Sequence, residues 1–95
     1  NINLPFIFGN PDVVEFLSFK KILDKSKFSY DQVENFYFFP SQRWDLKLNN
    51  NVLLKLPKNK IIDSLNNAYK FLEDYNVEKF TVLDFRIINQ MILNE

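Results

Sequence analysis

Residues 42–58 read QRWDLKLNNNVLLKLPK and predict a β-hairpin. Apolar and polar residues alternate on both sides of three consecutive asparagines, and a Leu-Pro pair ends the stretch. A three-residue loop at positions 49–51 puts six apolar side chains on one face, as the cross-strand pairs Trp44–Leu56, Leu46–Leu54 and Leu48–Val52. A two-residue loop would scatter them over both faces. Three-residue loops need a residue in the left-handed conformation, which asparagine tolerates. The sequence therefore predicts a hairpin with one buried face.

The opposite face of this hairpin carries mostly charged side chains. Its residues are Arg43, Asp45, Lys47, Leu53 and Lys55, with Asp45 directly across from Lys55. This pattern predicts an ordinary solvated sheet surface. A homodimer surface on the same face is the alternative interpretation.

The composition indicates one folded domain. Ninety-five residues suit a single domain with a real core, and a hydrophobic content of 46% with eleven phenylalanines argues against disorder. Twelve basic residues balance twelve acidic ones, and no basic tract is present. Because nucleic-acid binding depends on a local excess of Lys and Arg, we expect no nucleic-acid partner.

The residue types that most enzymes use are missing. The chain has no cysteine and no histidine, which disfavours zinc sites and the usual pairs of nucleophile and base. A single glycine leaves no glycine-rich phosphate loop. Glu73 and Asp74 are adjacent on a predicted helix and point about 100° apart, while Asp84 and Arg86 form a predicted surface ion pair. We expect no catalytic residue, cofactor, metal or small-molecule substrate.

The rest of the chain predicts two helices among several strands. Asn10-Pro11-Asp12 is typical of a helix start, with Asn10 as cap, and the helix runs to about Lys25. Pro57 opens a second helix that ends near Asn76. Leu4–Gly9 is either a short strand or an extended entry to the first helix. The other predicted strands are Val33–Phe39, the two arms of the hairpin, Thr81–Ile87 and Gln90–Asn94, with a turn at Ile88–Asn89. This order favours an α+β domain spanning residues 1–95, with two helices packed on one face of an antiparallel sheet.

The last strand is a candidate for strand addition. No lysine or proline occurs between Thr81 and Glu95. Natural sheets usually block an open edge with such residues, so an open C-terminal edge strand here would accept a strand from a partner. A proline at Ile92 should then prevent binding. An interior position for this strand is the alternative.

Four motifs in order resemble one family. They are Leu-Pro-(three residues)-Gly at 4–9, Arg-Trp-Asp-Leu-Lys-Leu-Asn at 43–49, Leu-Pro at 56–57 and Val-Leu-Asp-Phe-Arg at 82–86. This pattern is similar to the periplasmic β domain of the FtsQ/DivIB bacterial cell-division family, most closely to its alphaproteobacterial members. The resemblance covers the chain from Leu4 to Glu95.

The resemblance implies a non-catalytic scaffold of the division complex. Family members have one transmembrane helix, a POTRA domain and then this β domain, so the chain is expected to be a piece of a longer membrane-anchored protein. It would lie on the periplasmic face of the inner membrane at the division septum and recruit FtsB- and FtsL-like proteins, a strand of FtsB adding to the last strand of the sheet. The implied partner contacts are Arg43, Arg86, Ile87, Asn89, Gln90, Met91, Ile92, Leu93, Asn94 and Glu95.

The sequence departs from the family pattern at three places. Asn51 replaces the glycine of the hairpin turn, Ile87 stands where an aromatic residue is common, and Asn94-Glu95 ends the last strand without an aromatic anchor. Main-chain pairing does not depend on these side chains, so strand addition remains the leading hypothesis. A β-rich accessory or docking domain of a larger enzyme is the alternative.

Overall fold

The described part of the chain folds into one six-stranded sheet with two helices. The computed structural model describes residues 4–87 and 90–94. In chain order the elements are β1 (Phe6–Phe8), α1 (Val13–Lys25), a single 3-10 turn (Tyr30–Gln32), β2 (Val33–Phe38), β3 (Trp44–Leu48), β4 (Val52–Lys55), α2 (Ile61–Asp74), β5 (Thr81–Asp84) and β6 (Ile92–Asn94). The strands follow one another across the sheet in the order in which they occur in the chain.

The α+β class is confirmed, but the sheet is mixed. Pairs β2–β3, β3–β4 and β5–β6 are antiparallel, while β1–β2 and β4–β5 are parallel. The two parallel pairs are the ones whose strands are joined through a helix, α1 in the first case and α2 in the second. Parallel neighbours need such a crossover because a short turn always leaves the two strands it joins antiparallel. The wholly antiparallel sheet that the sequence suggested is therefore corrected at these two junctions.

The register of the central hairpin is as predicted. Leu46 lies opposite Leu54, and the amide of Leu56 donates to the carbonyl oxygen of Trp44 at 3.3 Å. Asn51 adopts the left-handed conformation, with φ of 68°. The asparagine loop thus fixes which residues face inward.

The core lies between the sheet and the two helices. The hairpin contributes all six apolar residues of its predicted inner face, and each is buried. Phe19 of α1 stacks on Trp44 with ring centroids 4.7 Å apart, and Leu65 and Ala68 of α2 are buried within the same cluster. Burial of these side chains is the main source of stability for a domain of this size.

Both helices begin later than the sequence predicted. The N-cap of α1 is Asp12, whose carboxylate accepts the amide of Glu15 at 2.7 Å, so the Asn10 cap is wrong. A carboxylate in this position satisfies a free amide and also favours the positive end of the helix. Helix α2 begins at Ile61 instead of Pro57, because Lys60 takes a left-handed conformation with φ of 57°.

The C-terminal strands are shorter than predicted. Strand β5 ends at Asp84 and not at Ile87, and β6 begins at Ile92 and not at Gln90. The predicted turn at residues 88–89 lies outside the described residues.

Gly9 links β1 to α1 at a close approach. Its φ is +97°, and a Cβ atom there would lie 2.2 Å from the carbonyl oxygen of Phe38. Any side chain would collide with the neighbouring strand, so the one glycine of the chain is required where it stands.

The helix-free face of the sheet is less solvated than the sequence predicted. Asp45 is only 4% exposed and Asp84 only 8%. Both belong to a row of cross-strand neighbours that runs over all six strands, in the order Phe8, Tyr37, Asp45, Lys55, Asp84 and Ile92. The carboxylates are buried because long side chains stand on either side of them. The prediction of a solvated surface at Asp45 is therefore wrong.

Candidate partner-binding edge

Strand β6 lies at one edge of the sheet, as the open-edge hypothesis requires. It pairs antiparallel with β5 through Val82–Asn94, Leu83–Leu93 and Asp84–Ile92. Its other side meets no strand in the described part of the sheet. The interior position, which was the alternative, is excluded for these residues.

The backbone register identifies the free hydrogen-bonding groups of β6. The amides of Thr81 and Phe85 donate to the carbonyl oxygens of Asn51 and Lys55, at 3.0 and 2.8 Å. Because successive residues of a strand direct their N–H and C=O groups to opposite sides, Val82 and Asp84 must bond to β6. Asn94 and Ile92 are their partners. Leu93 therefore directs both its N–H and its C=O toward the open edge.

This register corrects the expected effect of a proline at Ile92. The Ile92 amide points inward to Asp84, so a proline there removes a hydrogen bond of the fold itself. The amide available to an incoming strand belongs to Leu93. The side chain of Leu93 is also 45% exposed, which leaves an apolar contact beside the free backbone groups.

An ion pair fixes the chain where it leaves β5. The Arg86 guanidinium donates from Nε to both carboxylate oxygens of Asp84, at 2.9 and 3.1 Å, and from Nη2 to Oδ2 at 2.6 Å. The backbone amide of Arg86 donates to the same carboxylate at 3.0 Å. The side-chain hydrogen bond with Arg86 holds the pKa of Asp84 below its usual value, against the effect of burial, and Asp84 in turn raises the pKa of Arg86. Asp84 and Arg86 thus form a bidentate pair with a buried carboxylate, stronger than the surface pair that the sequence suggested.

Arg43 occupies a comparable position on the neighbouring hairpin. Its guanidinium pairs with the carboxylate of Asp45 and donates to the carbonyl oxygen of Leu56 at 3.2 Å. The same group lies over the ring of Phe39, 4.7 Å from its centroid. Arg43 is thereby held in place beside the C-terminal segment.

A groove of about 850 Å3 connects these residues with helix α2. Five of the predicted contacts line it, namely Arg43, Arg86, Ile87, Gln90 and Met91. The opposite wall is the start of α2 and the segment before it, from Pro57 to Asn67. Ile87 and Met91 are both exposed there, so the groove has apolar as well as charged walls.

The start of α2 makes one wall of the groove electropositive. The cap residue Lys60 offers no side-chain acceptor to the first amides of the helix. These amides form the positive end of the helix dipole, and Lys58 and Lys60 line the same wall. Asp63 is the one carboxylate among the described lining residues, so cations outnumber anions along the groove.

The structure brings most, but not all, of the predicted contacts together. Ile92, Leu93 and Asn94 form the edge strand, and the five residues named above line the groove beside it. Asn89 and Glu95 lie outside the described residues. Sequence reasoning missed Lys58, Lys60 and Asp63, because it placed them inside a helix that begins at Pro57.

The comparisons with known proteins give no family for this chain. A scan against protein-family models finds no match, and a search of curated proteins finds no match either. In residues 4–87 and 90–94, no helix has the length and apolar character needed to cross a membrane. The same residues contain no group of three side chains suited to hold a metal ion. The described residues define the chain as an α+β domain with an open edge strand beside a groove.

Proposed function

We propose that this chain is a non-catalytic scaffold domain of the bacterial division complex, which recruits an FtsB-like protein by strand addition to β6. One observation carries the proposal: Leu93 presents a free N–H and a free C=O at an exposed edge. Such an edge is a template for a further strand.

The surroundings of the edge support an added strand. Leu93 and Met91 leave apolar surface exposed along the path of an incoming chain. The groove continues that path toward the start of α2. A strand paired with Leu93 can therefore bury its flanking residues in the groove, which adds side-chain contacts to a short backbone ladder.

The charges indicate what kind of partner fits. Arg43 and Arg86 are each paired with a carboxylate of this chain, whereas Lys58 and Lys60 have no hydrogen-bond partner among the described residues. A partner segment with an acidic side chain near its paired strand would complement these lysines and the helix dipole. Electrostatic attraction of this kind speeds association and fixes orientation.

The resemblance to the FtsQ/DivIB family supplies the biological setting. In that setting the domain follows a POTRA domain and a transmembrane helix, faces the periplasm at the septum, and acts with both FtsB- and FtsL-like partners. The motif residues Arg43 and Arg86 line the same groove, at the positions where the family makes its partner contacts. Without an aromatic anchor at position 87, main-chain pairing carries a larger share of the binding.

Affinity measurements with the periplasmic segment of an FtsB-like protein from the same organism test this proposal. We compare the wild-type chain with Leu93→Pro and Leu93→Ala by titration calorimetry. Leu93→Pro should abolish binding because the edge amide is lost, while Leu93→Ala should keep most of it because the backbone is unchanged. Equal loss in both variants would refute backbone pairing as the main contact. No binding by the wild-type chain would refute the recruitment of an FtsB-like partner.

A further inference from the structure

The opposite edge of the sheet carries an apolar surface that the proposed function does not use. Phe6, Ile7 and Phe8 form β1, and Val13, Val14 and Leu17 lie on the first two turns of α1, which begins five residues after β1. Phe6 is 70% exposed and Val13 is 73% exposed, and the other four side chains range from 43% to 73%. Exposed apolar clusters of this kind usually mark interaction surfaces.

The register also identifies the free backbone groups of β1. The amide of Phe39 donates to the carbonyl oxygen of Arg43 at 3.0 Å. Because the backbone groups of successive residues point to opposite sides of a strand, those of Asn35 and Tyr37 point to β3 and those of Phe36 point to β1. Phe36 lies opposite Ile7 and, in a parallel pair, bonds to the residues on either side of it. Ile7 therefore directs its own N–H and C=O to the side of β1 that pairs with no strand in the described part of the sheet.

We propose that β1 is a homodimer interface in which two copies of this chain pair antiparallel about Ile7. Ile7 has a phenylalanine on each side, so a two-fold axis at Ile7 places aromatic residues of the two copies opposite each other. Each Ile7 donates its amide to the carbonyl of Ile7 in the second copy. Each Phe6 then lies opposite Phe8 of the second copy, on a single face.

Existing aromatic contacts fit this pairing. Phe8 already stacks on Tyr37 with ring centroids 5.0 Å apart. Pairing about Ile7 places a second aromatic ring on the other side of Phe8, so the row Tyr37–Phe8 continues across the axis. Aromatic cross-strand pairs are among the most favourable in sheets.

The symmetry places both α1 helices on the same side of the joined sheet. Antiparallel pairing of identical edges requires an axis perpendicular to the sheet, which leaves each helix layer on its original face. Phe8 lies on the helix-free face, so Ile7, its neighbour in the strand, faces the helix side. The exposed residues of α1 thus belong to the same side of the dimer as Ile7. Where the second copy covers them, they add apolar area that a three-residue strand alone does not provide.

The available area and charge are those of a modest dimer. A fully buried aromatic side chain removes about 150–250 Å2 from water, and the aliphatic side chains remove less, so complete burial of all six partly exposed side chains amounts to on the order of 500 Å2 per copy. Two copies together reach about 1,000 Å2, which is the lower bound for a specific interface. The chain is formally neutral, so long-range repulsion does not oppose self-association. Pro5 lacks an amide and limits the ladder to the few residues around Ile7.

Sedimentation equilibrium of the 95-residue chain, up to several hundred micromolar, tests the proposal. A monomer–dimer equilibrium is expected, and Ile7→Pro and Phe6→Lys should each weaken it at least tenfold. Phe80→Lys is the matched control, since Phe80 is 51% exposed and precedes β5, across the sheet from β1. A wild-type monomer throughout, or a dimer that Phe80→Lys weakens as much as Phe6→Lys, would overturn the proposal.

A disulfide test reports the symmetry directly, because the chain has no cysteine of its own. Directly opposed residues of a hydrogen-bonded antiparallel pair have Cα atoms about 5.5 Å apart, which suits a disulfide. Ile7→Cys should therefore form a covalent dimer under mild oxidation, well above the yield from Phe80→Cys. Equal yields from the two variants would contradict the proposed axis. Circular dichroism of each variant verifies that it is folded.

Discussion

Two nitrogens of the Arg86 guanidinium bind the carboxylate of Asp84, Nη2 lying 2.6 Å from Oδ2 and Nε lying 2.9 Å from Oδ1. Asp84 is the last residue of β5 and pairs with Ile92 of the edge strand. The ion pair therefore fixes the point at which the chain leaves β5 to form the edge strand. We infer that it contributes both to stability and to the orientation of the candidate binding edge.

The Asp84–Arg86 pair predicts a specific dependence of stability on pH. Because the folded state lowers the pKa of Asp84, the carboxylate stabilises the fold above the pKa of an unfolded Asp, which is about 3.9. This contribution is lost as the pH falls through the lower, folded pKa. In urea unfolding, Asp84→Asn should be less stable than wild type at pH 6, and the difference should shrink below about pH 4. A difference that stays constant down to pH 2 would contradict the ion-pair assignment.

Asp45 should contribute more to stability than an exposed carboxylate. It is buried and pairs with Arg43, so Asp45→Asn leaves a partly buried guanidinium without its anion. We expect a loss of about 1–3 kcal/mol in the free energy of unfolding. The control is Asp24→Asn, which breaks the exposed pair with Lys20 and should cost about 0–1 kcal/mol. Equal losses would show that the burial of Asp45 has no energetic consequence.

The two faces of the hairpin should respond differently to the same substitution. Leu46 is fully buried on the helix side, whereas Leu53 lies half-buried on the helix-free side. Leu46→Ala should lower the free energy of unfolding by about 2–5 kcal/mol through lost burial and a residual cavity. Leu53→Ala should cost clearly less in the same chemical denaturation experiment. Similar losses would mean that the assignment of faces is wrong.

Prolines at adjacent positions of β6 should have opposite effects on fold and binding. Ile92→Pro removes an amide that bonds to β5, so it should lower the melting temperature. Leu93→Pro removes only an outward amide and should leave the melting temperature nearly unchanged while preventing strand addition. Differential scanning calorimetry of the two variants gives the comparison. Greater destabilisation by Leu93→Pro than by Ile92→Pro would show that the outward amide does not belong to Leu93.

The sequence predicted the hairpin well, and for a physical reason. Only one pairing register puts its six apolar residues on the same face, and Asn51 supplies the left-handed residue that the loop needs. The sequence interpretation left β6 either at an edge or in the interior, and the strand order places it at an edge of the described sheet. Strong periodicity and turn chemistry are local, so they can be read without the fold.

What could not be predicted depends on contacts between distant residues. Asp45 alternates like a solvent-facing residue, yet neighbouring strands supply the long side chains that cover it. The parallel pairs β1–β2 and β4–β5 follow from where the helices cross the sheet. The late start of α2 depends on a left-handed Lys60, an uncommon conformation for that residue type. The electropositive wall of the groove follows from this start, and so it too was absent from the sequence interpretation.

An amide-detected NMR titration is the most direct test of whether a partner strand adds to β6. The isotope-labelled chain is titrated with the C-terminal periplasmic segment of an FtsB-like protein from the same organism. Strand addition predicts shifts concentrated at Gln90–Asn94 and at the groove residues Arg43, Arg86 and Ile87, with slowed hydrogen exchange at the Leu93 amide. Unaffected amides at Gln90–Asn94, with shifts elsewhere or none, would contradict it.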